Sequence, residues 1–290
     1  MNKRLLKAVL SAIIIPFLFS GCAVLFRDRV PVKFIKPSEK VQYKMVQPDE
    51  NEKNGVDLRF WMKRKPLFYK DSSQIFTQVK DGSALPLRLE TRRKVSFEKG
   101  KAPGTFYMIT KTSGQRIEDL GYEQILINKR GAILKFIEGR FQADNGSVKF
   151  LSHTRTPIFP ANSVRIGDTW SYNETMETVL DSSYLKKKSN GPDKIKVNCE
   201  LKGFAVFNGR RCAVIHSRAV TSRNERYETW FKELKIHVNV FADEILFFDY
   251  KQGIILGTIT KTESYSVSEK KDFSDESRSQ QISYLEKKAK

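Results

Sequence analysis

The sequence predicts a mainly β, antiparallel protein built from long hairpins, with few helices. Three observations predict it. Apolar residues alternate with polar ones over long stretches, as in "LPLRLETRRKVSFE" (85–98), where Leu87, Leu89, Val95 and Phe97 take turns with charged neighbours. Asn-Gly pairs at 145–146 and 208–209 interrupt apolar runs, and this pair favours the two-residue hairpin turn that needs positive φ. Sustained helical periodicity is scarce. With 290 residues, 40% of them hydrophobic, and 20 Phe and 10 Tyr, the chain has ample material for a packed core and is not of disordered composition.

The N-terminus comes first. Lys3, Arg4 and Lys7 precede an uncharged apolar run from Ala8 to Ser20, "AVLSAIIIPFLFS", and then Ser20, Gly21 and Cys22. A short positive segment, a 13-residue apolar core and small residues are the parts of an export signal. A spanning helix is the competing reading, because residues 8–26 form 19 positions without charge, close to the ~20 that cross a bilayer. Pro16 in mid-segment and the Ser-Gly-Cys cluster count against it. Both readings place the body outside the cytoplasm, with the cations inside.

The run "FLFSGC" resembles the lipobox of bacterial envelope lipoproteins, with Phe19 standing where that family usually has Leu. The resemblance implies that Cys22 carries a diacylglycerol thioether and acyl chains such as palmitate, with cleavage between Gly21 and Cys22. It also implies a lipid-anchored protein of the cell envelope. Ala23 lacks the acidic residue that retains such proteins in the inner membrane, so the outer membrane is the expected address.

The expected organisation is a signal peptide at 1–21, a lipidated N-terminus and Pro-containing linker at 22–40, and two β halves at 41–157 and 158–290. "TFYMITKT" (105–112) follows a "KGKAPG" turn and should pair back on the preceding strand. "FQADNGSVKF" (141–150) reads as a hairpin, and "IHVNVF" (236–241) puts Ile236, Val238 and Val240 on one face. "SSQIFTQVKDG" (72–82) reads as one short helix ended by Gly82, and "QQISYLE" (280–286) as a last strand. "EQILINKRGAIL" (123–134) and "DEILFFDYKQGIIL" (243–256) share an order of acidic residue, aliphatic run, basic turn with Gly, aliphatic run. They are either a duplicated β half-unit or two hairpins of like composition. In "VRIGDTW" (164–170) a Gly167-Asp168 turn leads to Trp170, read as a core aromatic pinning the turn rather than a ligand contact. That stretch and "KGFAVFNGRRCAVI" (202–215) resemble β-rich envelope lipoproteins, some of which are lipid carriers. This implies one large, strongly curved antiparallel sheet, a half-barrel or sandwich.

Little in the chain speaks of catalysis. No G-x-S-x-G, phosphate-loop, H-E-x-x-H or dinucleotide-binding glycine pattern occurs. The three histidines, His153, His216 and His237, are dispersed through β segments. Asp243 and Glu244 read as turn residues, and Glu244 and Asp249 fall on opposite faces of a regular strand. No metal site and no cofactor are expected. Cys199 and Cys212, exported together, either pair as a disulfide or remain separate thiols. Pairing needs a bulge near Leu201–Gly203, where the apolar parity switches from odd to even.

The formal charge of +19 invites anionic partners, but its cations fall in short groups: "KRK" at 63–65, "RRK" at 92–94, "KKK" at 186–188 and "RR" at 210–211. No nucleic-acid module accompanies them, and they read as solvated strand edges and loops. The expected role is non-catalytic binding or structure, toward an apolar ligand, a lipid or an envelope protein partner. The alternative is an envelope hydrolase acting on anionic glycan or lipid.

Overall fold

A computed structural model describes residues 42–79, 85–114, 121–143, 146–148, 156–176, 181–182, 185–188, 193–228, 233–268 and 274–286. The expectations for Gly21, Cys22, the linker and His153 lie outside these residues. The described chain is almost wholly β, as the alternation predicts. In order come β1 (Tyr43–Val46), α1 (Glu50–Lys53), β2 (Leu67–Val79), β3 (Leu85–Lys99), β4 (Thr105–Gly114), β5 (Gly121–Asn128), β6 (Ile133–Ala143) and β7 (Gly146–Val148). There follow β8 (Thr169–Met176), β9 (Asp181–Ser182), β10 (Leu185–Lys188), β11 (Asp193–Phe207), β12 (Arg210–Glu228), β13 (Glu233–Asp249), β14 (Ile254–Ser268) and β15 (Ser274–Leu285).

All fifteen strands belong to one antiparallel sheet. Its main path is β1-β11-β12-β13-β14-β15-β2-β3-β4-β5-β6-β7, with β8 beside β11 and β9–β10 beside β12, and among the described residues its two ends do not pair. The C-terminal strand β15 lies in the middle, between β14 and β2, and so joins the first and second halves of the chain into a single sheet.

The sheet is rolled, and two observations show how far. One core cluster contains Val95, Phe106, Met108, Ile125 and Ile127 of β3–β5 together with Ile195, Val197, Leu201 and Phe204 of β11. The second observation is an extended segment, residues 56–66, that crosses one end of the sheet. The amide of Phe60 donates to the carbonyl of Lys129 in the β5–β6 turn (2.7 Å), and that of Trp61 to Gly253 in the β13–β14 turn (3.2 Å). Strands β5 and β14 are five positions apart, about 24 Å on a flat sheet at ~4.8 Å per strand. Two adjacent residues span the gap only because the sheet curls. A second crossing strand of chain supports the first: Val56 and Val164 exchange backbone hydrogen bonds (2.8 and 2.9 Å), and Phe159 N donates to Arg130 O (2.8 Å). Phe60, Phe159 and Phe248 stack where these pieces meet, with ring centroids 4.5–5.4 Å apart. We call this the closed end.

Curvature has local causes. β11 bulges between Leu201 and Gly203, with Gly203 at φ +144°, and β13–β14 shifts register at Phe247–Phe248. Opposite Phe247 stands Gly257, where a Cβ would meet the ring of Phe207 at 2.6 Å. The missing side chain lets Phe207 stack on Phe247 with centroids 4.4 Å apart.

The hairpin predicted at Asn208-Gly209 forms, with φ of +49° and +80° and Phe207 paired to Arg210, the geometry of a two-residue turn with both central residues left-handed. β4 pairs back on β3, Ile236, Val238 and Val240 are all buried, and residues 280–285 belong to β15. Two expectations are corrected. Residues 72–79 are strand, not helix: β2 is paired on both sides, to β15 and β3, and two complete ladders outweigh a weak local preference. Asp243 and Glu244 are not at a turn, since β13 runs without a break to Asp249. The look-alike segments form the β5–β6 and β13–β14 hairpins, both at the closed end, with Gly131 at φ +87° and Gly253 at φ +61°.

Candidate functional site

The concave face of the roll is the candidate site, and register assigns its residues. Alternation puts Ile236, Val238, Val240 and Ala242 of β13 on the same face as the core residue Leu246. Their partners on β14 are Ser268, Ser266, Ser264 and Thr262, and one step further, Ser279 lies opposite Thr262 on β15. Toward the closed end the same face carries large side chains, Phe248, Leu246 and Ile215, filled in by Leu58, Phe60 and Phe159 from the crossing segments. Away from it β13 and β14 carry mostly smaller side chains, alanine, valine, serine and threonine, with Ile236 at the far end. These small residues are nonetheless shielded, with Val240 0%, Ser266 1% and Thr262 3% exposed.

Two polar foci interrupt the wall. On β2 and β3, Arg93 forms a bidentate pair with Asp71 (Nε to Oδ2 2.6 Å, Nη2 to Oδ1 2.8 Å), and Nη2 also donates to Ser283 Oγ at 2.8 Å. Burial works against the charge on Arg93, but Asp71 outweighs it and the guanidinium pKa rises. Tyr69 lies beside it, ring centroid 5.4 Å from the guanidinium, and its hydroxyl donates to Ile255 O. Glu123 of β5 adds negative charge, and Thr110 of β4 has a buried hydroxyl with no hydrogen-bond partner. The second focus is Glu244, which accepts from Thr260 Oγ1 at 3.0 Å and Ser217 Oγ at 3.4 Å.

Cys199 faces this interior and Cys212 the opposite face. Cys199 pairs with Ser217 and Cys212 with Ala205, and the bulge between Leu201 and Gly203 does occur. It does not bring the sulfurs together, so the disulfide is not formed: both are free, buried thiols. Burial pushes each thiol up to about 12, helped at Cys199 by Glu244 and Glu174 and at Cys212 by Asp249. Trp170 is half-buried against the core and donates from Nε1 to Ile158 O at 2.9 Å, which ties β8 to the second crossing segment. His216 bonds Asp243 through Nε2, and His237 bonds Asn224 through Nδ1; both lie on β12–β13. Among the described residues no three His, Cys, Asp or Glu side chains gather to hold a metal.

Sequence reasoning missed the Arg93–Asp71 pair. "RRK" at 92–94 read as a solvated cluster, whereas alternation turns Arg93 inward between Arg92 and Lys94. Parity with Val95 carried the signal. It also missed Glu52 of α1, a capping-box residue that is 1% exposed and bonded to Arg211 and Tyr250. Comparison with protein-family models and with curated proteins finds no match for this chain.

Proposed function

We propose that the protein is a lipid-anchored envelope lipoprotein that binds an apolar chain, a fatty acyl group, within the rolled sheet. The observation that carries the reading is the gradient along the concave face. One end is packed with aromatic rings, and the half-buried Arg93 and the buried, unpartnered hydroxyl of Thr110 lie level with that end; beyond it β13 and β14 present mostly smaller side chains, Ala242, Val240, Val238, Thr262, Ser264 and Ser266. Large rings fix the closed end. Walls of alanine, valine and serine give up little contact area when they part, about 25 cal/mol per Å² of apolar surface, so an acyl chain entering between them replaces what it displaces. At the inner end of that wall Thr110 leaves a hydroxyl free to donate, and Arg93, already bonded to Asp71 and Ser283, adds positive charge beside a carboxylate or ester head.

The N-terminal reading supports the address: a thioether-linked diacylglycerol at Cys22 would tether the body, each buried methylene contributing ~0.8 kcal/mol. The test has two arms. Native mass spectrometry of the chain from residue 23 onward should show a bound lipid that is absent from Ala242→Trp, which fills the wall. A ligand-free wild type that takes up no added fatty acid refutes the binding role. Metabolic labelling with a fatty-acid analogue should mark the full chain and not Cys22→Ser; equal labelling of both refutes the anchor.

A further inference from the structure

Two large apolar side chains, Trp61 and Met62, stand 45% and 47% exposed side by side on the segment that crosses the closed end. They are not loosely held. The amide of Trp61 is bonded to Gly253 O, and its ring lies on Gly253 so closely that a Cβ there would come within 1.8 Å of Cδ1. The Arg59 guanidinium covers one face of the indole at 4.7 Å. The next residues in the chain are Lys63, Arg64 and Lys65. Lys129 and Lys251, in the two hairpin turns that the segment bridges, are exposed as well. Among the described residues Arg64, Lys65 and Lys129 form no ion pair, whereas the nearby carboxylates are engaged, Asp57 by Arg59 and Arg130 and Asp249 by Arg210. Glu98 is the exposed carboxylate on the adjoining strand.

We propose that this end of the sheet, with Trp61 and Met62 at its tip and Lys63, Arg64, Lys65, Lys129 and Lys251 around them, docks on an anionic lipid surface. Indole and thioether suit the boundary between headgroup and acyl region, and cations around them meet phosphates at the same depth. Charge complementarity is one argument for this occupant. The path of the chain is another: Asn208 N donates to Gln42 O, and Tyr43 pairs with Phe207, so the described chain enters at this same end. Nineteen residues lie between Cys22 and Gln42. The docking surface therefore faces the side from which a lipid tether would arrive. It does not require the tether, and its test leaves the tether out.

The experiment uses the unlipidated chain from residue 23 onward; every described strand and both core clusters lie within residues 43–285. Flotation is measured with phosphatidylcholine vesicles and with vesicles containing about one third phosphatidylglycerol. The expected result is binding to the anionic vesicles alone, lost at 0.5 M salt and reduced about tenfold or more in Arg64→Glu/Lys65→Glu, with each nearby cation contributing severalfold. Trp61→Ser/Met62→Ser should also release the protein. Arg64 and Lys65 are exposed and should melt as the wild type when replaced, so the charge variant keeps the test valid even where loss of the Trp61 ring lowers the melting temperature. Binding to both vesicle types alike, no binding, binding indifferent to the substitutions, or binding to duplex DNA and not to vesicles would each overturn the proposal. Failure of the Cys22 labelling would leave this result standing, because no acyl anchor is present in the assay.

Discussion

Glu52 offers the sharpest test of how the closed end is held. α1 is a single turn, opened by a capping box in which Asp49 accepts from Glu52 N (2.9 Å) and Glu52 accepts from Asp49 N (2.8 Å). The same carboxylate takes Nε of Arg211 at 2.7 Å and the hydroxyl of Tyr250, so it ties the turn to β12 and to the β13–β14 hairpin. Burial by itself pushes the carboxyl up, but the bonds from Arg211, Tyr250 and Asp49 outweigh it and lower its pKa from 4.5 to about 2. A folded pKa below the unfolded one means stability that is present above pH 4.5 and is lost as the pH falls through about 2. At ~1.36 kcal/mol per unit, the group contributes roughly 3 kcal/mol at neutral pH. Glu52→Gln keeps the shape and removes the charge. Urea denaturation at pH 7 should show the variant less stable by roughly 2–3 kcal/mol, and the gap should close progressively between pH 4.5 and pH 2, where the wild type carries a neutral acid itself. A gap that stays constant over that range would refute the electrostatic account and leave only a packing effect.

Other outcomes follow from the geometry. Gly253→Ala forces a Cβ into Trp61 at a positive φ, and should destabilise the protein by about 2–4 kcal/mol in chemical denaturation; Gly167→Ala, also at positive φ but with open space around it, should cost about 1 kcal/mol. Phe159→Ala removes a ring from the three-Phe stack and should cost about 3–5 kcal/mol, visible as a lowered melting temperature. Cys199 and Cys212, with thiols pushed up to about 12, should resist iodoacetamide at pH 8 in the native state and alkylate fully, without prior reduction, in denaturant. Recovery of a Cys199–Cys212 disulfide peptide would contradict the fold as described.

The β class was legible because a period of two survives wherever one face of a strand is buried: Ile236, Val238 and Val240 are buried and the residues between them are not. Asn208-Gly209 was legible because two successive positive φ angles leave few residues to choose from. Residues 72–79 misled because "SSQIFTQV" alternates weakly, and its strand identity comes from β15, a partner some two hundred residues away in the chain. The site was harder to read for the same reason. Thr110, Arg93 and Asp71 are ordinary residues of three strands, and only the register that aligns Arg93 with Tyr69 and Thr110 with Val95 puts them on one wall. The disulfide question turned on a bulge that sequence parity located correctly, yet the bulge changes which residue faces Cys199 without moving Cys212 to its side of the sheet.

The small side chains of the wall set a condition on any ligand. A roll of fixed strand number has a fixed perimeter, so where large rings fill it at one end, small ones at the other leave either a void or walls that approach each other. Val240 and Ser266 are inward-facing, short and almost wholly shielded, so no water-sized void borders them. An acyl chain entering there would have to displace what shields them. Displacement is resisted by little there, because the small side chains bury mostly methyl and hydroxyl groups, while the aromatic stack and the Phe60–Lys129 and Trp61–Gly253 bonds hold the other end. Hydrogen exchange separates this from a rigid scaffold. In such a carrier, amides of β13 and β14 from residue 236 to 242 and 260 to 268 exchange faster than those at Leu246–Phe248, and added fatty acid slows the first group alone. Uniform protection along both strands, unchanged by ligand, would mean that the walls do not open.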